Sequence, residues 1–116
     1  MINNLIIIES LVCEYFEVSK ESMYSKDVVG KGLIARQYFF YLSVLFLNKK
    51  INNKKSLAFI SLKKIGRFPL TRNGGIWKHN SVGNTYRTIC FRKKIYSDVL
   101  KHCNKLEELS AQQIVV

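Results

Sequence analysis

The stretch Lys78-His79-Asn80-Ser81-Val82-Gly83-Asn84-Thr85-Tyr86-Arg87-Thr88-Ile89, read together with Ala35-Arg36-Gln37 upstream, decides the fold. Its first residues are polar and able to donate or accept hydrogen bonds. Val82, Tyr86 and Ile89, with Lys93 following, then recur at helical spacing, so one apolar stripe anchors in a core while the opposite face meets solvent. A helix of this kind offers its N-terminal end to a major groove and keeps the stripe on its domain.

Outward from this helix, the chain reads as helical throughout. It holds one proline, Pro69, and few runs of alternating polarity. Residues 3–16 form a first helix, with Leu5, Ile8, Leu11, Val12, Tyr15 and Phe16 on one face and Asn3 or Asn4 as its cap. Val18-Ser19 breaks it, and Ser19 caps a short turn through Met23. A long helix starts near Lys31, or earlier if Asp27 is its cap, and ends near Leu47. Its run Tyr38-Phe39-Phe40-Tyr41-Leu42-Ser43-Val44-Leu45-Phe46-Leu47 is apolar nearly all round, which predicts the central, buried helix. So dense an aromatic run is a core signature before it is a base-stacking platform. Residues 48–56, rich in Asn and Lys, read as an exposed loop. Residues 57–68 read as the next helix, capped by Ser56 or Ser61. Phe68-Pro69-Leu70-Thr71-Arg72-Asn73-Gly74-Gly75 is a turn with strong breakers. Helices over about 79–94 and 98–110, the last capped by Ser97-Asp98 and followed by a frayed tail, complete an all-α bundle of about five to six helices. The expected organisation is a single domain, 1–116, with its core elements over about 5–95.

Nineteen Lys and Arg face eight Asp and Glu, for a net charge of +11. The signs are segregated. Residues 1–30 hold two basic and five acidic residues, and residues 31–105 hold seventeen basic and one acidic, Asp98. A merely solubilising surface mixes the signs. A basic body behind an acidic lead suits phosphate binding, because each neutralised phosphate releases counterions. The hydrophobic fraction of 47% supports a packed core. Cys13, Cys90 and Cys103 are odd in number, form no Cys-x-x-Cys pair, and lack zinc-finger spacing to His79 and His102. Cys13 and Cys90 lie among apolar residues as small core fillers, and His102-Cys103 spans a helix surface and its core. A reducing, cytoplasmic setting is expected, since the N-terminus lacks a basic lead and Glu9 interrupts its apolar run. The apolar run at 38–47 is about half of what spans a bilayer. The carboxylates are scattered and no Ser/His/Asp, Cys/His or metal-ligand cluster is suggested, so no enzyme activity, cofactor or metal is expected.

Four groups of residues follow one another in a telling order: Val12-Cys13-Glu14-Tyr15-Phe16-Glu17-Val18-Ser19 with Met23 and Ser25-Lys26; Ala35-Arg36-Gln37 with Tyr41-Leu42; Leu62-Lys63-Lys64-Ile65-Gly66; and His79-Asn80-Ser81-Val82 with Tyr86-Arg87 and Ile89. Together they resemble the C-terminal DNA-binding domain of the bacterial replication initiator DnaA, over roughly residues 5–95. The resemblance implies a helix-turn-helix, with residues 62–66 in its first helix and 79–89 in its second, and double-stranded DNA as partner. The initiator's ATPase is not implied, because no Gly-x-x-x-x-Gly-Lys-(Ser/Thr) occurs. The chain looks like the DNA-binding domain alone, as in small replication or transcription regulators of phages or other mobile elements. It departs from the family pattern at Trp77 and Lys78, where Arg and Asp are usual. The loop after Ser25-Lys26 keeps only Lys31 of an arginine-rich run, and the connections at 48–61 and 67–77 are longer.

Lys78, His79, Asn80 and Ser81 are expected at the mouth of the groove, where Lys suits guanine O6 and N7, Asn suits adenine, and Ser serves either edge. The alternative is a polar cap, with Asn80 capping and His79 a helix-terminus histidine. Asn84 and Arg87 point away from the stripe, Arg87 toward a phosphate or into solvent. Gly83 costs about 1 kcal/mol relative to Ala inside a helix. The resemblance gives Arg36 a phosphate contact; an ion pair with Glu14 or Glu17 is its other use. Lys26 and Lys31 are loop cations suited to a minor groove or phosphates. Lys63 and Lys64 lie on the helix that crosses the backbone in such motifs. Lys49, Lys50, Lys54 and Lys55 form a loop cluster, and Trp77 is expected partly exposed against sugar or core. Two other functions compete: an adaptor that keeps an initiator-like fold for replication or other regulatory proteins, and an RNA-binding module, for which no motif is present.

Overall fold

A helix that is apolar on every side must be covered on every side. In a computed structural model that describes residues 2–25, 29–51, 59–72 and 74–114, that helix is Lys31–Ile51 (α3). Ala35, Tyr38–Leu42, Val44 and Leu47 are each at most 5% exposed. Ser43 among them satisfies its hydroxyl inside the helix, donating to the Phe39 carbonyl at 2.7 Å. The covering elements are α1 (Ile2–Phe16), α2 (Lys20–Tyr24), α4 (Phe59–Arg67), α5 (His79–Arg92) and α6 (Ser97–Gln113), all of which contact α3. A 3₁₀ turn, Phe68–Arg72, follows α4. The described residues therefore form an all-α bundle, as the pattern predicts. None of their helices is long and apolar enough to cross a membrane.

The helix ends show where side-chain patterning misleads. α1 begins at Ile2, so Asn3 and Asn4 lie inside its first turn rather than capping it. It ends in a Schellman arrangement: Glu17 N–H donates to the Glu14 carbonyl at 3.2 Å and Val18 N–H to the Cys13 carbonyl at 3.0 Å. Glu17 occupies the left-handed position at φ 56, a place glycine usually takes. Ser19 caps α2 as expected, accepting from Ser22 N–H at 3.0 Å. α3 runs past Leu47 to Ile51, because Asn48, Lys49 and Lys50 are polar without being helix breakers. Lys54, Lys55 and Ser56 lie outside the described residues. Ser61 falls inside α4. The expected breaker segment opens as the 3₁₀ turn, with Phe68 and Pro69 buried and Phe68 stacked on Phe39 at 5.8 Å. Ser97 opens α6 rather than capping it; the cap is Tyr96, with no side-chain bond. α6 also extends beyond 110 to Gln113, and Ile114 seals its end at 7% exposure instead of fraying.

One charge sits on the apolar face of α1. Glu9 is 3% exposed. Its carboxylate accepts from the Tyr24 hydroxyl at 2.7 Å and from Arg72 Nε and Nη2 at 3.2 and 3.0 Å. Burial, and then the bond to Glu9, pushes the Tyr24 hydroxyl well above the usual phenol range, so it stays a donor. Three elements distant in sequence thus meet on one carboxylate. Glu9→Gln removes the charge that Arg72 pairs with, and loss of one partner from a buried pair is strongly destabilising. The expected cost is about 2–3 kcal/mol, a drop of about 10 °C in Tm by circular dichroism. An unchanged Tm would show that the pair contributes no net stability.

Candidate nucleic-acid interface

α5 is bound to the body by one stripe. Val82 and Ile89 are buried and Tyr86 half-buried, its ring stacked on Tyr41 at 5.5 Å between centroids. One turn on, Lys93 Nζ donates to the Tyr41 hydroxyl at 3.1 Å, and that hydroxyl donates to the Glu107 carboxylate at 3.2 Å. This relay ties the end of α5 to α3 and α6. With the stripe engaged, the opposite face is left to solvent: Asn80, Ser81, Asn84, Arg87 and Thr88 are all exposed. The cap of α5 is Lys78, in extended conformation and without a side-chain cap bond. Asn80 therefore does not cap the helix; it lies in the first turn, with its side chain in solvent. His79 is half-buried. Gly83 is buried on the side facing the domain.

The start of α5 is held against the end of α4 by backbone rather than side chain. Trp77 N–H donates to the Gly66 carbonyl at 2.9 Å. A Cβ on Gly66 would lie 2.1 Å from the Trp77 carbonyl oxygen, so only glycine admits this approach. The Trp77 side chain is half-buried and packs inward, near Tyr24 and Phe40 at 6.3 and 6.0 Å. Arg36 covers it, with its guanidinium 5.0 Å from the ring centroid and Nη1 donating to the Ser25 carbonyl at 2.8 Å. Burial draws the pKa of Arg36 down from the usual guanidinium value. The alternative ion pair with Glu14 or Glu17 does not form; the salt bridge seen among the described residues joins Glu9 and Arg72. Arg36 instead links the α2–α3 connection to the segment that launches α5.

The remaining described basic residues singled out in the sequence fall on two elements. Lys63, Lys64 and Arg67 are exposed on α4, and Lys31 is exposed at the first residue of α3. Lys26 lies outside the described residues. Beside α5, a cleft of about 160 Å³ is lined by Gln37 of α3 and by Asn84, Thr85, Thr88, Ile89 and Arg92. A neighbouring cleft of about 130 Å³ shares Gln37, Ile89 and Arg92 and adds Asp98 and His102. Thr88 and Arg92 were not singled out in the sequence, yet Asn84, Thr88 and Arg92 stand at i, i+4 and i+8, which sets them on one polar stripe. Cys103 is fully buried, and burial pushes the Cys13 and Cys103 thiols up to about 11, so both stay protonated near neutrality.

Gly66→Ala separates helix propensity from packing. In an open helix the change stabilises by about 1 kcal/mol. Here the methyl meets the Trp77 backbone, and overpacking of this kind costs about 3 kcal/mol or more. Urea denaturation is expected to show the loss; a gain in stability would mean that α4 and the Trp77 segment are not in register as described.

No family model, curated protein or solved structure matches this chain.

Proposed function

We propose that this chain binds double-stranded DNA, with α4 and α5 as the two helices of a helix-turn-helix of the kind found in the C-terminal domain of the initiator DnaA. The observation that carries the proposal is the division of α5: an apolar stripe locked onto α3, and a polar outer face of Asn80, Ser81, Asn84, Arg87 and Thr88 open to solvent. The surroundings are strongly cationic, with eleven basic residues and one acidic over 59–105. In this reading the first turns of α5 enter the major groove. Asn80 is suited to adenine N6 and N7, Lys78 to guanine O6 and N7, and Ser81 to either edge. Lys63 and Lys64 on α4 meet the phosphates beside the groove, and Arg87 holds backbone on the far side. Arg36 is a positioning residue, since its guanidinium is already engaged by Ser25 and Trp77. A role in replication or transcription control of a phage or mobile element follows from the resemblance of the motifs.

Neutralising about six phosphates gives a log–log slope of binding against salt of about −5. Gel shifts with duplex DNA over a range of salt concentrations measure it. A flat dependence, or no shift, would favour a protein-binding adaptor instead. Base reading and backbone holding then separate by substitution. Asn80→Ala should cost about 1–3 kcal/mol on the preferred sequence and little on random duplex, whereas Arg87→Ala should weaken all sequences alike and flatten the salt slope by about one unit. Equal losses on both DNAs for Asn80→Ala would remove it from sequence reading.

A further inference from the structure

The corner where α5 turns into α6 exposes side chains that a folded surface ordinarily hides. Phe91 is 63% exposed, Ile95 57%, Tyr96 50% and Leu100 42%. They are not on a loose loop. Ile95 and Tyr96 N–H groups donate to the Arg92 carbonyl at 3.0 and 2.8 Å, and Leu100 N–H donates to the Tyr96 carbonyl at 3.1 Å. The rings are thus presented on a hydrogen-bonded frame, and the cost of ordering them is already met in folding. Cations are interleaved with them. The Arg92 guanidinium lies 5.5 Å from the Tyr96 ring centroid, and Lys94 and Lys101 are exposed on either side. Asp98 is the sole carboxylate between 87 and 105.

We propose that this corner is a second binding surface, for single-stranded nucleic acid, with bases stacked on Phe91 and Tyr96 and phosphates along Arg92, Lys94 and Lys101. Cationic side chains set among open aromatic faces are what a strand with unpaired bases requires, and every base supplies a π-face. A second copy of the chain is disfavoured, because the rims of two such corners carry the same sign. An acidic peptide would satisfy the charge. The 160 Å³ cleft that begins at Arg92 favours a nucleic acid instead, since Gln37, Asn84 and Thr88 line it with amides and hydroxyls and no carboxylate. Sugar and phosphate can follow this cleft away from the stacked bases. The stacking residues are also clear of the first turns of α5: Phe91 stands eleven residues beyond Asn80 on the same helix, about 16 Å along its axis.

The test uses the full chain and a fluorescein-labelled short oligothymidylate, read by fluorescence anisotropy at fixed salt, beside an abasic strand with the same number of phosphates. Stacking predicts that the oligothymidylate binds about tenfold or more tighter than the abasic strand. Phe91→Leu and Tyr96→Ala should each lower oligothymidylate affinity about tenfold, while Tyr96→Phe retains it, because the ring and not the hydroxyl is used. Both sites are exposed, so thermal melts should match the parent protein. Duplex affinity, read separately, should change less than about twofold, and oligothymidylate binding stands whether or not the duplex proposal does. Equal binding of abasic and thymidine strands would overturn the proposal. So would full affinity in Phe91→Leu, or binding to phosphatidylglycerol vesicles or to a poly-glutamate peptide with none to the oligonucleotide.

Discussion

A carboxylate withdrawn almost wholly from water is tolerable only if its charge and lone pairs are answered. Glu9 is answered by Tyr24 from α2 and by Arg72 from the end of the 3₁₀ turn. Because neither partner is near it in sequence, the demand of this one group sets where α2 and the turn must lie on α1. The consequences run outward. Pro69, two residues into the turn, is buried, and its carbonyl accepts from Gly74 N–H at 2.7 Å. A Cβ on Gly74 would stand 2.8 Å from both that carbonyl and the Tyr24 Cβ, so the chain can pass this point only as glycine. Three residues further on, Trp77 reaches the Gly66 carbonyl and α5 begins. The direction in which the polar face of α5 looks is therefore set, link by link, from a buried acid on α1.

The aromatic centre of α3 supplies the other half of the constraint. Phe39 stacks on Phe68 below the turn, and Tyr41 stacks on Tyr86 of α5. Burial, followed by nearby Cys103 and Glu107, pushes the Tyr41 hydroxyl far above the phenol range. It remains protonated and can pass a hydrogen bond from Lys93 to Glu107. α3 is thus more than filler. Its two aromatic stacks hold the segment just after α4 and the middle of α5 on one helix, which is how the outer face of α5 keeps its geometry.

Elements defined by their own side-chain period were legible in the sequence. The burial of residues 38–47, the apolar face of α1 and the stripe of Val82, Tyr86 and Ile89 all follow from 3.6-residue spacing. Tertiary pairing was not legible. Glu9 reads along the chain as an interruption of an apolar run, although it shares the face of Leu5, Ile8 and Val12, because nothing local announces Arg72, sixty-three residues away. Arg36 looked free for a phosphate or an acid, since no pattern reveals a tryptophan brought beside it from another segment. A cap assigned by residue type held at Ser19, which accepts from Ser22 N–H, and failed at other helix starts. Asn80 and Ser97 have good capping chemistry, yet their helices begin before they can use it. Gly66 was visible as a motif residue, but its reason, a backbone contact at 2.9 Å, exists only in the folded chain.

Charge segregation along the sequence becomes segregation in space. Glu14, Glu17 and Glu21 are exposed on α1, its end and α2, whereas Lys63, Lys64, Arg67, Arg87 and Arg92 are exposed on α4 and α5, and Lys94 in the turn after α5. α3 packs against the helices that carry both groups. The fourth acid of the lead among the described residues, Glu9, is paired with Arg72 inside the fold. Charge divided between helices in this way adds direction to the net charge. Under the proposed reading, a polyanion would be turned toward α4 and α5 before contact, with the acidic helices disfavouring the opposite docking. Orientation of this kind costs no side-chain contacts and weakens within a Debye length as salt rises. Under the proposed DNA-binding reading, recognition by the open face of α5 would need only few and modest polar contacts, because the field would choose which face arrives first.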